Sequence, residues 1–172
     1  MIATVFVDTN VFVYARDARD PRKQQLAEAW LRDLWREQRG RTSVQVLCEY
    51  YATITRKLRP GVPPDDAWGE VTELFEWEPQ ETNRDLLVRA RDVQRRHTLS
   101  WWDSTVVAAA QAQGCSLLLT EDLQHGADLG GVTVRNPFRE GIAEARAGYD
   151  APLERVPRHR ARGRPRRHTP SQ

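Results

Sequence analysis

The chain has 172 residues, 40% hydrophobic and 29% charged, with a formal net charge of +2. That length suits one domain, or one domain with a tail, and no apolar run approaches the ~20 residues needed to span a bilayer, so a membrane-spanning protein is excluded, as is a chain disordered throughout. The charge is uneven: residues 1–150 carry 19 Lys and Arg against 23 Asp and Glu, whereas residues 151–172 carry seven Arg against Glu154 alone.

Residues 2–7 form a short β-branched apolar run that reads as a strand buried on both faces and stops at Asp8, where the chain turns through Thr9 and Asn10. Asp20-Pro21 reads as an N-cap with proline at the first helical position, and Leu26, Trp30, Leu31, Leu34 and Trp35 carry a helix to Gly40. Thr42 and Ser43 suggest a minimal extended segment. Leu47, Tyr50, Tyr51, Ile54 and Leu58 then recur at helical spacing until Pro60, Pro63 and Pro64.

Two amphipathic helices follow, one from Asp65 through Trp68, Val71, Leu74 and Phe75, the other through Leu86, Leu87, Ala90 and Val93. Ser100 is placed to cap a helix opening at Trp101 and running to Gly114. Residues 115–119 and 132–134 are further strand candidates. Strands separated by helices predict an α/β sandwich with a mainly parallel sheet, because parallel neighbours need a crossover connection.

Cys48 and Cys115 lie outside any CxxC and read as buried free thiols in a reducing cytoplasm. No basic stretch precedes the apolar start, so no export signal is expected. Of 26 basic side chains only Lys23 and Lys57 are lysines, which limits any chemistry that needs a lysine beside phosphate.

In a parallel sheet ligands gather at the carboxyl ends of the strands. Asp8 directly follows one strand, Asp122 lies just past another, and Asp103 sits in the first turn of the helix that feeds that second strand. Glu49 is off the apolar stripe of its helix and free to face a cleft. Each acid alone has a plain structural reading as a turn bond, a helix-dipole partner, a solvated residue or a loop cap. Together, with no cation fixed beside them in sequence, they repel by on the order of several kcal/mol at low effective dielectric. A hard dication such as Mg²⁺ or Mn²⁺ offsets that repulsion and suits phosphodiester hydrolysis. No GxxxxGK[ST] or HExxH run is present, the four histidines are scattered, and no lysine after Lys57 serves phosphoryl-aspartate chemistry.

Taken in order, Val5-Phe6-Val7 with Asp8-Thr9-Asn10, the helix around Cys48-Glu49-Tyr50-Tyr51, the Trp102-Asp103-Ser104 helix start, the run from Leu118 through Thr120-Glu121-Asp122-Leu123-Gln124-His125-Gly126, and Asn136-Pro137-Phe138 resemble a PIN domain, within it the VapC-type ribonuclease toxins of toxin–antitoxin pairs. The resemblance implies a three-layer α/β/α sandwich with a short, mainly parallel central sheet over residues 1–140, and a Mg²⁺- or Mn²⁺-dependent endoribonuclease. It implies that Asp8, Asp103 and Asp122 hold the metal, that Glu49 completes the catalytic acids, and that Asn10 and Thr120 orient them. Glu121, next to Asp122, leaves a swap of roles open. The partners implied are an RNA substrate, a cognate antitoxin covering the cleft, and a second copy in a homodimer. A PIN-like nuclease of housekeeping RNA processing or of DNA, and a catalytically silent RNA-binding module, stay open as alternatives.

Residues 141–172 read as a flexible Arg- and Pro-rich extension, either inert or able to add phosphate contacts. Trp30, Trp35, Trp68 and Trp77 fall at helix-face spacing and read as core or dimer surface, while Trp101 and Trp102 flank Asp103 and are candidates for base stacking.

Overall fold

A computed structural model describes residues 3–139; the expected extension at 141–172 lies outside the described residues. Strand β1 (Val5–Val7) leads into helix α1 (Thr9–Tyr14), then α2 (Pro21–Glu37), β2 (Gly40–Arg41), α3 (Val44–Arg56), α4 (Pro64–Glu73), a 3₁₀ turn (Leu74–Trp77), α5 (Arg84–His97), α6 (Trp101–Ala112), β3 (Leu117–Leu119) and β4 (Thr133–Arg135). The four strands are all parallel, in the order β2-β1-β3-β4, and helices flank the sheet in the expected α/β/α sandwich. Among the described residues no helix is long and apolar enough to cross a membrane.

The strands are apolar on both faces, as a covered parallel sheet requires: Val5, Phe6, Val7, Leu117, Leu118, Leu119 and Val134 are all buried. Register then does the positioning. Val7 pairs with Leu119 and Leu119 with Arg135, so the residues that follow, Asp8, Thr120 and Asn136, line the same edge. Two backbone bonds extend the ladder past the strands, from Asp8 N to Leu119 O at 3.1 Å and from Thr120 N to Arg135 O at 3.1 Å.

The structure corrects several expectations. Helix α1 replaces the turn at Thr9-Asn10: Asp8 is its N-cap, its carboxylate accepting from Thr9 N at 2.7 Å, and the β-branched run Val11-Phe12-Val13 hides a helix too short to show a period. β2 lies two residues before the expected segment, because Ser43 caps α3 by accepting from Val46 N. β3 starts at Leu117 because Gly114 (φ 66°) and Cys115 close α6 in a Schellman turn, Cys115 N donating to Ala110 O and Gly114 N to Gln111 O.

Cys48 is exposed while Cys115 is buried, since α3 buries the stripe Val46, Leu47, Tyr50 and Ile54 and Cys48 falls outside it. Trp30 and Trp77 belong to the core, but Trp35 and Trp68 are 40% and 55% exposed. Helix α4 buries Ala67 and Val71 instead, leaving Trp68 to meet the edge of Phe75 at 6.2 Å.

Gly40 is required by close approach: a Cβ there would lie 2.5 Å from the ring atoms of the buried Trp77. Gly40→Ala is therefore expected to destabilise the fold by about 1–3 kcal/mol through overpacking, read as a lower urea midpoint with an unchanged slope.

Candidate active site

The carboxyl edge of β1 and β3 brings together residues more than a hundred positions apart. Asp8, 9% exposed, caps α1 with Oδ1 and uses Oδ2 to accept from Thr120 Oγ1 at 2.8 Å and Asn10 Nδ2 at 3.2 Å. Asn10 Nδ2 also donates to Thr120 Oγ1 and to Asp122 Oδ2, both at 2.9 Å. Thr120 Oγ1 in turn accepts from Asp122 N at 3.1 Å. Local folding explains each placement: Asn10 lies in the first turn of α1 with its side chain back over the sheet edge, and Thr120 is the fully buried residue just past the end of β3.

Burial raises the Asp8 carboxyl from its usual value of 3.8 to about 6; the Thr120 and Thr9 hydrogen bonds work against the rise, and the charges of Asp122 and Glu49 add to it. Glu49 stands at the exposed side of the same pocket. Its Oε2 accepts from Thr9 Oγ1 at 3.0 Å and its Oε1 from Gln45 Nε2 at 3.0 Å.

Asp103 is placed differently. It shares a reciprocal cap with Ser100, whose hydroxyl donates to Asp103 Oδ2 at 2.6 Å while Asp103 N donates back to Ser100 Oγ at 3.1 Å. Two residues on, Thr105 Oγ1 donates to Gln45 Oε1 at 2.5 Å, and Gln45 holds Glu49, which ties α6 to the helix that carries Glu49. The structure thus joins Asp8, Asn10, Thr120 and Asp122 directly and Glu49 through Thr9, while Asp103 bonds Ser100. Among the described residues no three His, Cys, Asp or Glu side chains form a ready ligand group.

The two adjacent acids are separated in role. Asp122 takes the Asn10 amide, whereas Glu121 pairs with Lys23 Nζ at 2.5 Å. Sequence reading missed Thr9, Gln45 and Lys23. Thr9 was visible only as the middle of Asp-Thr-Asn, Gln45 only as the residue four before Glu49, and Lys23 only as one of two lysines.

The donor set fits a hard dication. Asp8, Asp122 and Glu49 offer carboxylate oxygens, Asn10 Oδ1 is buried with no hydrogen-bond partner, and no soft ligand joins them. Mg²⁺ binds through one or two carboxylates and keeps several waters, so a pair of joined carboxylates is a sufficient protein share.

A PIN domain family model matches residues 5–126. Among solved structures, VapC20 of Mycobacterium tuberculosis, described as a sarcin–ricin loop cleaving toxin, is 21% identical over 67% of this chain and 87% of its own, with a TM-score of 0.49. FitAcB from Neisseria gonorrhoeae is 18% identical over 80% of this chain and 100% of its own, with a TM-score of 0.54, a likeness of fold. Comparison with curated proteins gives no match.

Proposed function

The chain belongs to the PIN domain family, and from that premise we propose that it is a metal-dependent endoribonuclease serving as the toxin of a toxin–antitoxin pair. The observation that carries the reading is the joining of Asp8 to Asp122 through Asn10 Nδ2 and Thr120 Oγ1, two carboxylates from opposite ends of the domain drawn to one sheet edge. Asp8 and Asp122 would hold Mg²⁺ or Mn²⁺, with Glu49 of α3 and, as the resemblance implies, Asp103 of α6 supplying further acidic groups. When bound, such an ion polarises the phosphate and acidifies a water enough for it to attack.

The chain's own residues prepare that chemistry. Thr9 N and Thr120 Oγ1 fix both oxygens of Asp8, so the carboxylate has a defined direction before any ligand arrives. The Asn10 amide lies against Asp8 and Asp122 and offsets part of their repulsion. Thr9 and Gln45 hold Glu49 by one oxygen each, leaving its remaining lone pairs toward solvent to accept a proton from an incoming water.

The toxin role and the antitoxin partner rest on the ordered motifs, and a pocket of acids suits a cationic side chain entering from that partner. The test is cleavage of a labelled RNA by the wild-type chain. Cleavage is expected to stop with a chelator, to return with Mg²⁺ or Mn²⁺, and to spare DNA of the same sequence. RNA cleavage that persists in excess chelator would sink the reading.

A further inference from the structure

The segment from Thr120 to Asp122 presents two faces. Thr120 and Asp122 turn toward Asn10 and Asp8, while Glu121 between them turns the other way, onto Lys23 of α2. The Lys23 ammonium also donates to Tyr14 Oη at 3.0 Å and lies 4.2 Å from the Tyr14 ring centroid and 5.1 Å from that of Phe138. The two rings meet edge to face at 4.9 Å, and Arg22, one residue before Lys23, donates to Phe138 O at 3.0 Å. One cation therefore ties together α1, α2, the chain after β3 and the chain after β4.

The residue type is informative. This chain uses arginine for 24 of its 26 basic positions, yet it places a lysine here. A compact ammonium sits as a point charge between a carboxylate, a phenol and two ring faces. The Lys23 and Glu121 side chains are 25% and 22% exposed, so the pair is partly shielded from solvent screening.

Resting on the metal-site reading above, we propose that Lys23 is a positioning residue: its ion pair with Glu121 braces the back of residues 120–122 and so fixes Asp122 and Thr120 toward Asp8. Release of Glu121 leaves a half-buried carboxylate without its cation, and that carboxylate turns toward water. The peptide units on either side turn with it. Asp122 N then moves off Thr120 Oγ1, and through that hydroxyl the disturbance reaches Asp8 Oδ2. The brace also keeps Glu121 from adding its charge to the acidic pocket.

The experiment compares full-length Lys23→Glu, Glu121→Lys and the charge-swapped double variant without RNA, with Lys23→Met as the milder substitution if reversal unfolds the chain. Two quantities are read: hydrogen exchange of the Asp122 amide in chelated protein, and the rise in unfolding temperature on adding Mn²⁺. Each single variant is expected to speed exchange by about 10-fold or more and to lose at least about half of the Mn²⁺ response, and the double variant to return both to within about threefold of wild type. A double variant no better than the worse single, or single variants that exchange at the wild-type rate, would overturn the proposal. A wild type that exchanges slowly but ignores Mn²⁺ refutes the metal reading instead, and the exchange comparison then still decides whether the brace exists.

Discussion

Asp8→Asn is expected to leave a folded protein whose metal-dependent RNA cleavage is lower by about 10³-fold or more. The substitution is nearly isosteric, and asparagine is as good an N-cap as aspartate, so α1 keeps its first hydrogen bond to Thr9 N. What disappears is the charge on the most buried carboxylate of the pocket, leaving Asp122 and the more exposed Glu49 to hold a dication. Initial rates on a labelled RNA at saturating Mn²⁺ give the effect, and circular dichroism with a thermal melt establishes that the variant is folded. A rate within a few fold of wild type would remove Asp8 from the chemistry.

The same substitution is expected to stabilise the chelated protein at neutral pH, a result that a purely structural aspartate would not give. The folded-state pKa of Asp8, about 6, lies above its usual 3.8. The folded form therefore binds a proton that the unfolded chain has already lost between those values. The associated stability is fully present below about pH 3.8 and is lost as pH rises through about 6. The difference corresponds to about 3 kcal/mol above that range.

Asparagine escapes that loss but offers one oxygen where the carboxylate accepts from three donors, and each bond forgone costs about 1 kcal/mol. A net gain of about 1 kcal/mol at about pH 8, turning into a net loss of about 2 kcal/mol toward about pH 4, is the expected balance. Mn²⁺ should reverse the order by stabilising wild type at about pH 8 far more than at about pH 5, where the proton competes for Asp8, and by doing little for the variant. Thermal melts of both proteins across that pH range, with and without the ion, check each part. An Asp8→Asn protein that melts well below wild type in chelator at every pH would assign Asp8 a structural role.

The sandwich and its parallel sheet were legible because covered strands are continuous apolar runs and the longer helices repeat their apolar residues at three and four. The Asp20, Ser43 and Ser100 caps all bond as side-chain acceptors, Asp20 and Ser100 in the role their sequence position suggests. Helix α1 escaped because six residues give less than two turns of pattern and its valines favour a strand. Of the two readings of Trp68, core or dimer surface, the structure sets aside the core, because Ala67 is the residue of α4 that faces in. Cys48, read as buried, falls outside the buried stripe of α3.

Of the candidate site, the sequence yielded the acids and their polar neighbours through motif order, since Asp8, Asn10, Thr120 and Asp122 flank strand ends. The links between them were not legible. Which of Glu121 and Asp122 faces the pocket depends on a lysine 98 positions away, and the hydroxyl that reaches Glu49 belongs to a threonine in an unforeseen helix. Asp103 lies in the first turn of α6, as its place along the chain suggests, and Ser100 donates to one of its oxygens.

The pairing of β1 with β3 also sets a timetable. Asp8 is synthesised early in the domain, but its neighbours Thr120 and Asp122 are made more than a hundred residues later. A nascent chain that ends before β3 contains α1 through α6 and still lacks the hydroxyl and the second carboxylate that give Asp8 its setting. Whatever this pocket does, it begins only after nearly the whole described domain has been synthesised and the last strands have docked.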